Sequence, residues 1–178
     1  MNAIRILEHE HEAILFGIGL TEKALARALE GDASAKSYLG ELVDFIRGFA
    51  DACHHGKEEG ILFPALEKAG IPNAGGPIGQ MLAEHVQGRT YVSAMRAALA
   101  SGELRTSFAP ALAGYAALLR AHIEKENEVL FPMGERVLDA AALEALGAEF
   151  DVHEETVMGK GEHERLHAML DRLSARYP

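Results

Sequence analysis

The sequence predicts an all-α protein: an up-and-down four-helix bundle with an additional C-terminal helical segment. Apolar residues recur at spacings of three and four almost throughout, the period of an amphipathic helix face. Strand-like alternation is missing, and Ala, Leu and Glu, all strong helix formers, dominate. Four long periodic stretches with short connections favour antiparallel packing around one core.

The first helix is expected over 3–30, stopped by Gly31. The second is expected over 35–69 and bent or interrupted around Pro64, because proline has no backbone N–H and crowds the carbonyl four residues back. Residues 70–77, Gly-Ile-Pro-Asn-Ala-Gly-Gly-Pro, are rich in helix breakers and form a loop. A third helix follows over 77–101, ended by Ser101-Gly102, and a fourth over 107–137 with irregularities at Pro110 and Pro132. A fifth stretch occupies 140–157, breaks near Gly159-Lys160-Gly161 and resumes to the C-terminus. The bundle thus spans about 3–137 and the C-terminal helices about 140–177, in a single domain whose last element covers an end or a side.

The bulk properties narrow the function classes. A hydrophobic fraction of 48% in 178 residues is ordinary for a soluble domain with a sizeable core. A formal charge of -10 argues against nucleic acid or an anionic membrane as the main partner. The single cysteine, Cys53, excludes an internal disulfide and a thiolate metal cluster, and points to a reducing compartment, the cytoplasm by default. The apolar run 13–20 follows acidic residues and is far shorter than the roughly 20 residues a bilayer span needs, so no export signal or membrane anchor is visible.

The most informative feature is a near-duplicated segment. His54-His-Gly-Lys-Glu58-Glu-Gly-Ile-Leu62-Phe63-Pro64 recurs as His122-Ile-Glu-Lys-Glu126-Asn-Glu-Val-Leu130-Phe131-Pro132. In each copy a histidine and a glutamate lie four apart, so on a helix both project from one face and can grip one ion. Helix phase then sorts the histidines. His11 shares its face with Ile4, Leu7, Ile14, Leu15 and Ile18, whereas His9 has Arg5 and Glu12 for neighbours. His54 and Glu58 continue a row through Val43, Ile46, Ala50 and Leu62, while His55 falls near Asp51 and Glu59 and is the poorer candidate. His85 lies with Ile78, Met81, Leu82 and Val92, and His122 with Glu126 lies with Tyr115, Leu118, Leu119, Val129 and Leu130.

A lone inward histidine is more often a hydrogen-bonded core residue than a ligand. Here each of the four helices offers one, and two carryalong carboxylates fall on apolar faces, where carboxylates are hardly ever found without a partner. A pair of buried His–Glu hydrogen bonds would leave His11 and His85 unexplained. The expected metal ligands are therefore His11, His54, Glu58, His85, His122 and Glu126. This mixed nitrogen and oxygen set suits iron, with manganese or zinc as alternatives. Bridging carboxylates hold two ions roughly 3.5 to 4 Å apart. With each glutamate bridging and counted twice, the donors fill about eight of twelve octahedral positions, leaving vacancies for a small molecule.

Glu10-His11-x-x-Ile14, His54-x-x-x-Glu58 leading into Leu62-Phe63-Pro64, Glu84-His85, and His122-x-x-x-Glu126 leading into Leu130-Phe131-Pro132 resemble the hemerythrin-like, HHE cation-binding family over roughly residues 4–135. The resemblance implies a four-helix bundle around a non-haem centre of two Fe ions with an oxo or hydroxo bridge, held by the same six residues. Oxygen-carrying hemerythrins have a second histidine four residues from the third-helix ligand; Met81 and Arg89 stand there in this chain. The fourth-helix carboxylate is a glutamate at i+4 instead of an aspartate at i+5. The chain is closer to the four-His, two-Glu branch, which includes iron-sulfur-cluster repair proteins and iron- or oxygen-sensing domains. The repair proteins also carry an N-terminal extension with a cysteine pair, whereas this sequence opens almost directly on its first helix. The implied partner is a small diatomic or peroxide ligand (O2, NO or peroxide), with an iron- or oxygen-responsive sensor or interaction module, or a repair-like stress protein, as the alternative.

Five other features are weighed as structural. His163-Glu164-Arg165-Leu166-His167 matches the zinc-protease pattern HExxH, with Asp171 as a conceivable third ligand, but only eleven residues follow His167 and the match reads as accidental. His153 is expected to pack against the bundle or support the site, and Tyr115 to pack in the core two turns before His122. Cys53 points about 100° away from His54 around an α-helix and reads as a buried inert thiol. Arg89 reads as a surface residue able to steer an anion.

Overall fold

Asn2 opens the first helix, α1 (Ala3–Leu29), by accepting a hydrogen bond from the Arg5 backbone N–H at 2.9 Å. Asp32 does the same for Ser34 and Ala35 at the start of α2 (33–68). Pro77 stands in the first turn of α3 (Pro77–Ser101), where its missing N–H costs nothing, and Gly102 closes that helix in the left-handed conformation at φ 79°. The fourth helix, α4, spans 104–137; α5 (Ala140–Val157) is capped by Asp139, and α6 (Glu162–Arg176) follows a turn made by Gly159 and Gly161. These elements belong to a computed structural model that describes residues 1–177 and, among them, contains helices and no strands.

The second helix is continuous through Pro64, where a bend or interruption was expected, and the irregularities expected at Pro110 and Pro132 in the fourth are wide turns in a continuous helix. The chain accommodates each proline with a wider turn. Ile46–His55 and Glu58–Leu62 in α2, and Leu104–Phe108 and Glu126–Leu130 in α4, are π-helical, with α-helix between and after them. Phe63 N–H donates to Glu58 O, Phe131 N–H to Glu126 O, and Ala109 N–H to Leu104 O, each spanning five residues. Each of these donors immediately precedes a proline, Pro64, Pro132 or Pro110. The five-residue bond relieves the crowding of the proline ring against the carbonyl four back. In both repeats the π turn begins at the glutamate of the His-x-x-x-Glu pair.

Two apolar cores fill the bundle. One contains Ile14, Ile18, Leu42, Ile46, Ala50, Val92, Leu119 and their neighbours. The other contains Ile4, Leu7, Leu62, Phe63, Ile78, Met81, Leu130 and Phe131. On every bundle helix the predicted ligand positions fall between residues of the two cores. The C-terminal helices cover a side of the bundle. Helix α5 packs on α1 and α2, so closely that a Cβ on Gly147 would meet the Met1 carbonyl at 2.7 Å. Helix α6 lies against α1 and buries Leu166, Met169, Leu170 and Leu173. No helix among the described residues is long and apolar enough to cross a membrane.

Candidate metal centre

All six residues singled out from the sequence meet between the two cores. His11, His54, His85 and His122 are each 1% exposed, and Glu58 and Glu126 are fully buried. His55, assigned outward from α-helical phase, is also buried, at 2% exposure, and joins them. Donor atoms converge into two groups: His11, His54, Glu58 and Glu126 in one, and His55, Glu58, His85 and His122 in the other, with every atom of a group within 4.8 Å of the rest.

The two glutamates tie the groups together. Glu58 places Oε1 3.5 Å from His54 Nε2 and Oε2 3.3 Å from His85 Nε2. Glu126 Oε2 lies 3.2 Å from His11 Nε2 and 3.3 Å from His122 Nε2. Each carboxylate therefore reaches one imidazole of each half of the repeat.

A ring of outer partners holds the imidazoles with Nε2 inward. His54 Nδ1 bonds Glu10 at 2.8 Å, His122 Nδ1 bonds Glu84 at 2.9 Å, His85 Nδ1 bonds Glu59 at 2.8 Å and His11 Nδ1 bonds Asn127 at 2.8 Å. His55 Nδ1 lies 3.4 Å from Asp51. The arrangement repeats with the sequence. Glu10, the residue before His11, crosses to His54 and is held by Lys57; Glu84, the residue before His85, crosses to His122 and is held by Lys125. Arg89, half-exposed, binds both Asp51 at 2.7 Å and Glu59 at 2.8 Å, so it braces the supports of His55 and His85 and is more than a surface charge. An acceptor on Nδ1 fixes the tautomer that leaves Nε2 free for a cation.

Electrostatics follow from this enclosure. Burial pulls the His122 pKa down, but Glu126 and Glu84 outweigh it and raise the group to about 10. His11 and His85 are raised on the same balance, burial opposing and Glu126 or Glu58 prevailing. Glu126 moves the other way: burial is overcome by His122 and His11, and its carboxyl stays ionised far below the usual range. Burial also fails to keep the Glu10 carboxyl up; His54 and Lys57 depress it to about 2. His55 is held neutral, by burial first and then by the neighbouring imidazoles.

The arrangement fits cations. His11 Nε2, His55 Nε2 and all four carboxylate oxygens of Glu58 and Glu126 are buried without a hydrogen-bond partner. Six such orphans in one spot would cost several kcal/mol between them if nothing charged lay among them. His85 Nε2 and His122 Nε2 face each other at 3.2 Å although both rings already engage carboxylates through Nδ1. Two nitrogens about 2.1 Å from one ion and at right angles around it would sit roughly 3 Å apart.

The remaining features stay outside the cluster. His163 and His167 stack 4.7 Å apart beside Phe49, with His163 Nδ1 3.0 Å from Glu154, a packing arrangement on α6. His153 packs on the α2 backbone, its Nε2 3.4 Å from the Ala52 carbonyl, where a Cβ on Gly56 would collide with the ring at 2.7 Å. Burial pushes the Cys53 thiol up to about 12, which makes it inert. Tyr115 is buried in the larger core, its hydroxyl without a partner.

A helical bundle that encloses paired His/Glu groups and orients them from outside defines a metal-binding protein. The family model described as Hemerythrin HHE cation binding domain matches residues 2–134, and the chain belongs to that family. Comparisons with curated proteins and with solved structures gave no match.

Proposed function

We propose that the protein is a non-haem di-iron protein that binds or reacts with a small ligand, O2, NO or peroxide. His11, His54, Glu58, His85, His122 and Glu126 hold the ions. The observation that carries this is the pair of fully buried carboxylates, each within 3.5 Å of imidazoles from both halves of the repeat and neither satisfied by a hydrogen bond. Iron bound there supplies open coordination positions and a change of oxidation state. The chain's own residues supply the rest. Glu10, Glu59, Glu84 and Asn127 orient the imidazoles, the flanking apolar cores exclude water, and burial of every donor restricts access to molecules of few atoms. The formal charge of -10 motivates the expectation of no nucleic acid or membrane partner, and the lone buried thiol motivates a cytoplasmic location.

Metal analysis and the optical spectrum of freshly purified protein test this reading. Two irons per chain with charge-transfer bands that change on adding O2, NO or peroxide are expected. An iron-loaded sample that answers none of them overturns it. Steady-state assays against a Glu126→Ala variant then separate turnover from reversible binding.

A second reading, an iron-responsive sensor or interaction module, has an observation of its own. Glu154 of α5 bonds Lys57 at 2.7 Å, Lys57 bonds Glu10, and Glu10 holds His54. A continuous polar chain thus links the C-terminal helices to the centre. Hydrogen exchange in α5 with and without iron tests it: a sensor requires α5 to loosen on iron removal, and equal protection in both states excludes it.

A further inference from the structure

Resting on the di-iron reading, we propose that His55 is a fifth imidazole donor, steered by Asp51 and Arg89, and that it makes the two cation positions unequal. Three imidazoles (His55, His85, His122) then serve one position and two (His11, His54) the other.

Four observations converge on this. His55 Nε2 is buried and unpartnered, and His55 joins Glu58, His85 and His122 in a group whose donor atoms lie within 4.8 Å of one another. Its ring stacks on His85 with centroids 3.9 Å apart and planes inclined by 14°. Its Nδ1 faces Asp51, which Arg89 Nε clamps at 2.7 Å. This is the same outward anchoring that the other four imidazoles have, and a neutral ring so anchored offers Nε2 as a lone pair.

The fourth observation is where the internal repeat fails. The alignment that sets His54 on His122, Glu58 on Glu126 and Lys57 on Lys125 sets His55 against Ile123 and Asp51 against Leu119. The alignment that sets His11 on His85 and Glu10 on Glu84 sets Arg89 against Leu15. The triad that His55 and Asp51 of α2 form with Arg89 of α3 thus has only apolar residues at its repeat-equivalent positions on α4 and α1. Ile123 and Leu119 are buried core residues, so packing alone is served by an aliphatic side chain at these places. A buried imidazole held by a polar pair that packing does not require points to a specific ligand for its inward nitrogen.

The test is iron titration and Mössbauer spectroscopy of the full chain loaded with iron-57, as wild type, His55→Gln and Asp51→Asn. The wild type is expected to bind two irons with two distinguishable signals of equal area. His55→Gln should weaken one iron by at least about tenfold and shift only one signal; Asp51→Asn, which leaves the ring in place, should produce the same change in smaller degree. Unchanged affinity and spectra in a folded His55→Gln protein overturn the assignment, as does an unchanged Asp51→Asn protein if His55→Gln does not fold. A wild-type chain that takes up fewer than two irons overturns the two-ion reading and this inference with it. Two irons in the wild type with an indifferent His55 variant overturn this inference alone.

Discussion

Lys57 is the residue whose burial packing alone does not explain. Its ammonium is 1% exposed, lies 2.5 Å from Glu10 and 2.7 Å from Glu154, and sits 6.0 Å from the Phe150 ring centroid. Burial works against its charge, and Glu10 reverses the effect and raises its pKa. Replacing it by methionine leaves Glu10 buried with less compensation, and Lys57→Met is expected to cost about 3 kcal/mol, read as a lowered denaturation midpoint in urea. The Glu10 carboxyl, depressed from 4.5 to about 2, contributes stability that is fully present above its unfolded value and lost as pH falls through about 2. Acid unfolding curves should therefore steepen below pH 4.5, and Glu10→Gln should flatten that dependence.

His122 carries the opposite sign. Its pKa, raised from 6.5 to about 10 in the metal-free protein, contributes stability present below 6.5 and lost as pH rises through 10. A cation competes with that proton for the same nitrogen. Metal loading at pH 7 is expected to release protons into weakly buffered solution, and affinity should fall as the pH is lowered. A pH-stat titration with ferrous iron checks both; loading without proton release would remove the basis for assigning Nε2 of His122 as a donor.

At the scale of the elements, the helices themselves were legible because their apolar period persists over four long stretches, and the loop and C-terminal break announced themselves through glycine and proline. The six predicted centre residues were legible for the same reason: polar side chains in apolar rows. His55 was not. An α-helix turns 100° per residue, which carries His55 away from His54, but both lie in a π-helical stretch whose wider turn advances each residue by less. Asp51 and Glu59 looked like a solvated row; they are instead the acceptors for His55 and His85, bound by Arg89 from another helix. Cross-helix partners of this kind leave no local pattern. The prolines six residues past each glutamate were the available signal for the wide turns at Glu58–Leu62 and Glu126–Leu130. Pro132→Ala should let the Glu126–Leu130 turn tighten and misplace Glu126, lowering iron affinity by about tenfold with little change in helix content; metal titration beside far-ultraviolet circular dichroism checks this.

At the scale of the molecule, binding a cation to the folded state alone adds stability by mass action, about 2.7 kcal/mol at a hundredfold excess over Kd. Chelation of iron is expected to lower the thermal midpoint, and a scan with and without chelator reads it directly. The size of the drop depends on how the metal-free chain rearranges its charges, with His11, His85 and His122 standing against Glu58 and Glu126. The two apolar cores lie on either side of this polar layer. A rod cut so at the waist has its weakest plane in the middle. Without its ions the bundle should breathe from the centre outward, not fray from its tips. Backbone amides around residues 54–58 and 122–126 would then exchange ahead of those near the helix ends.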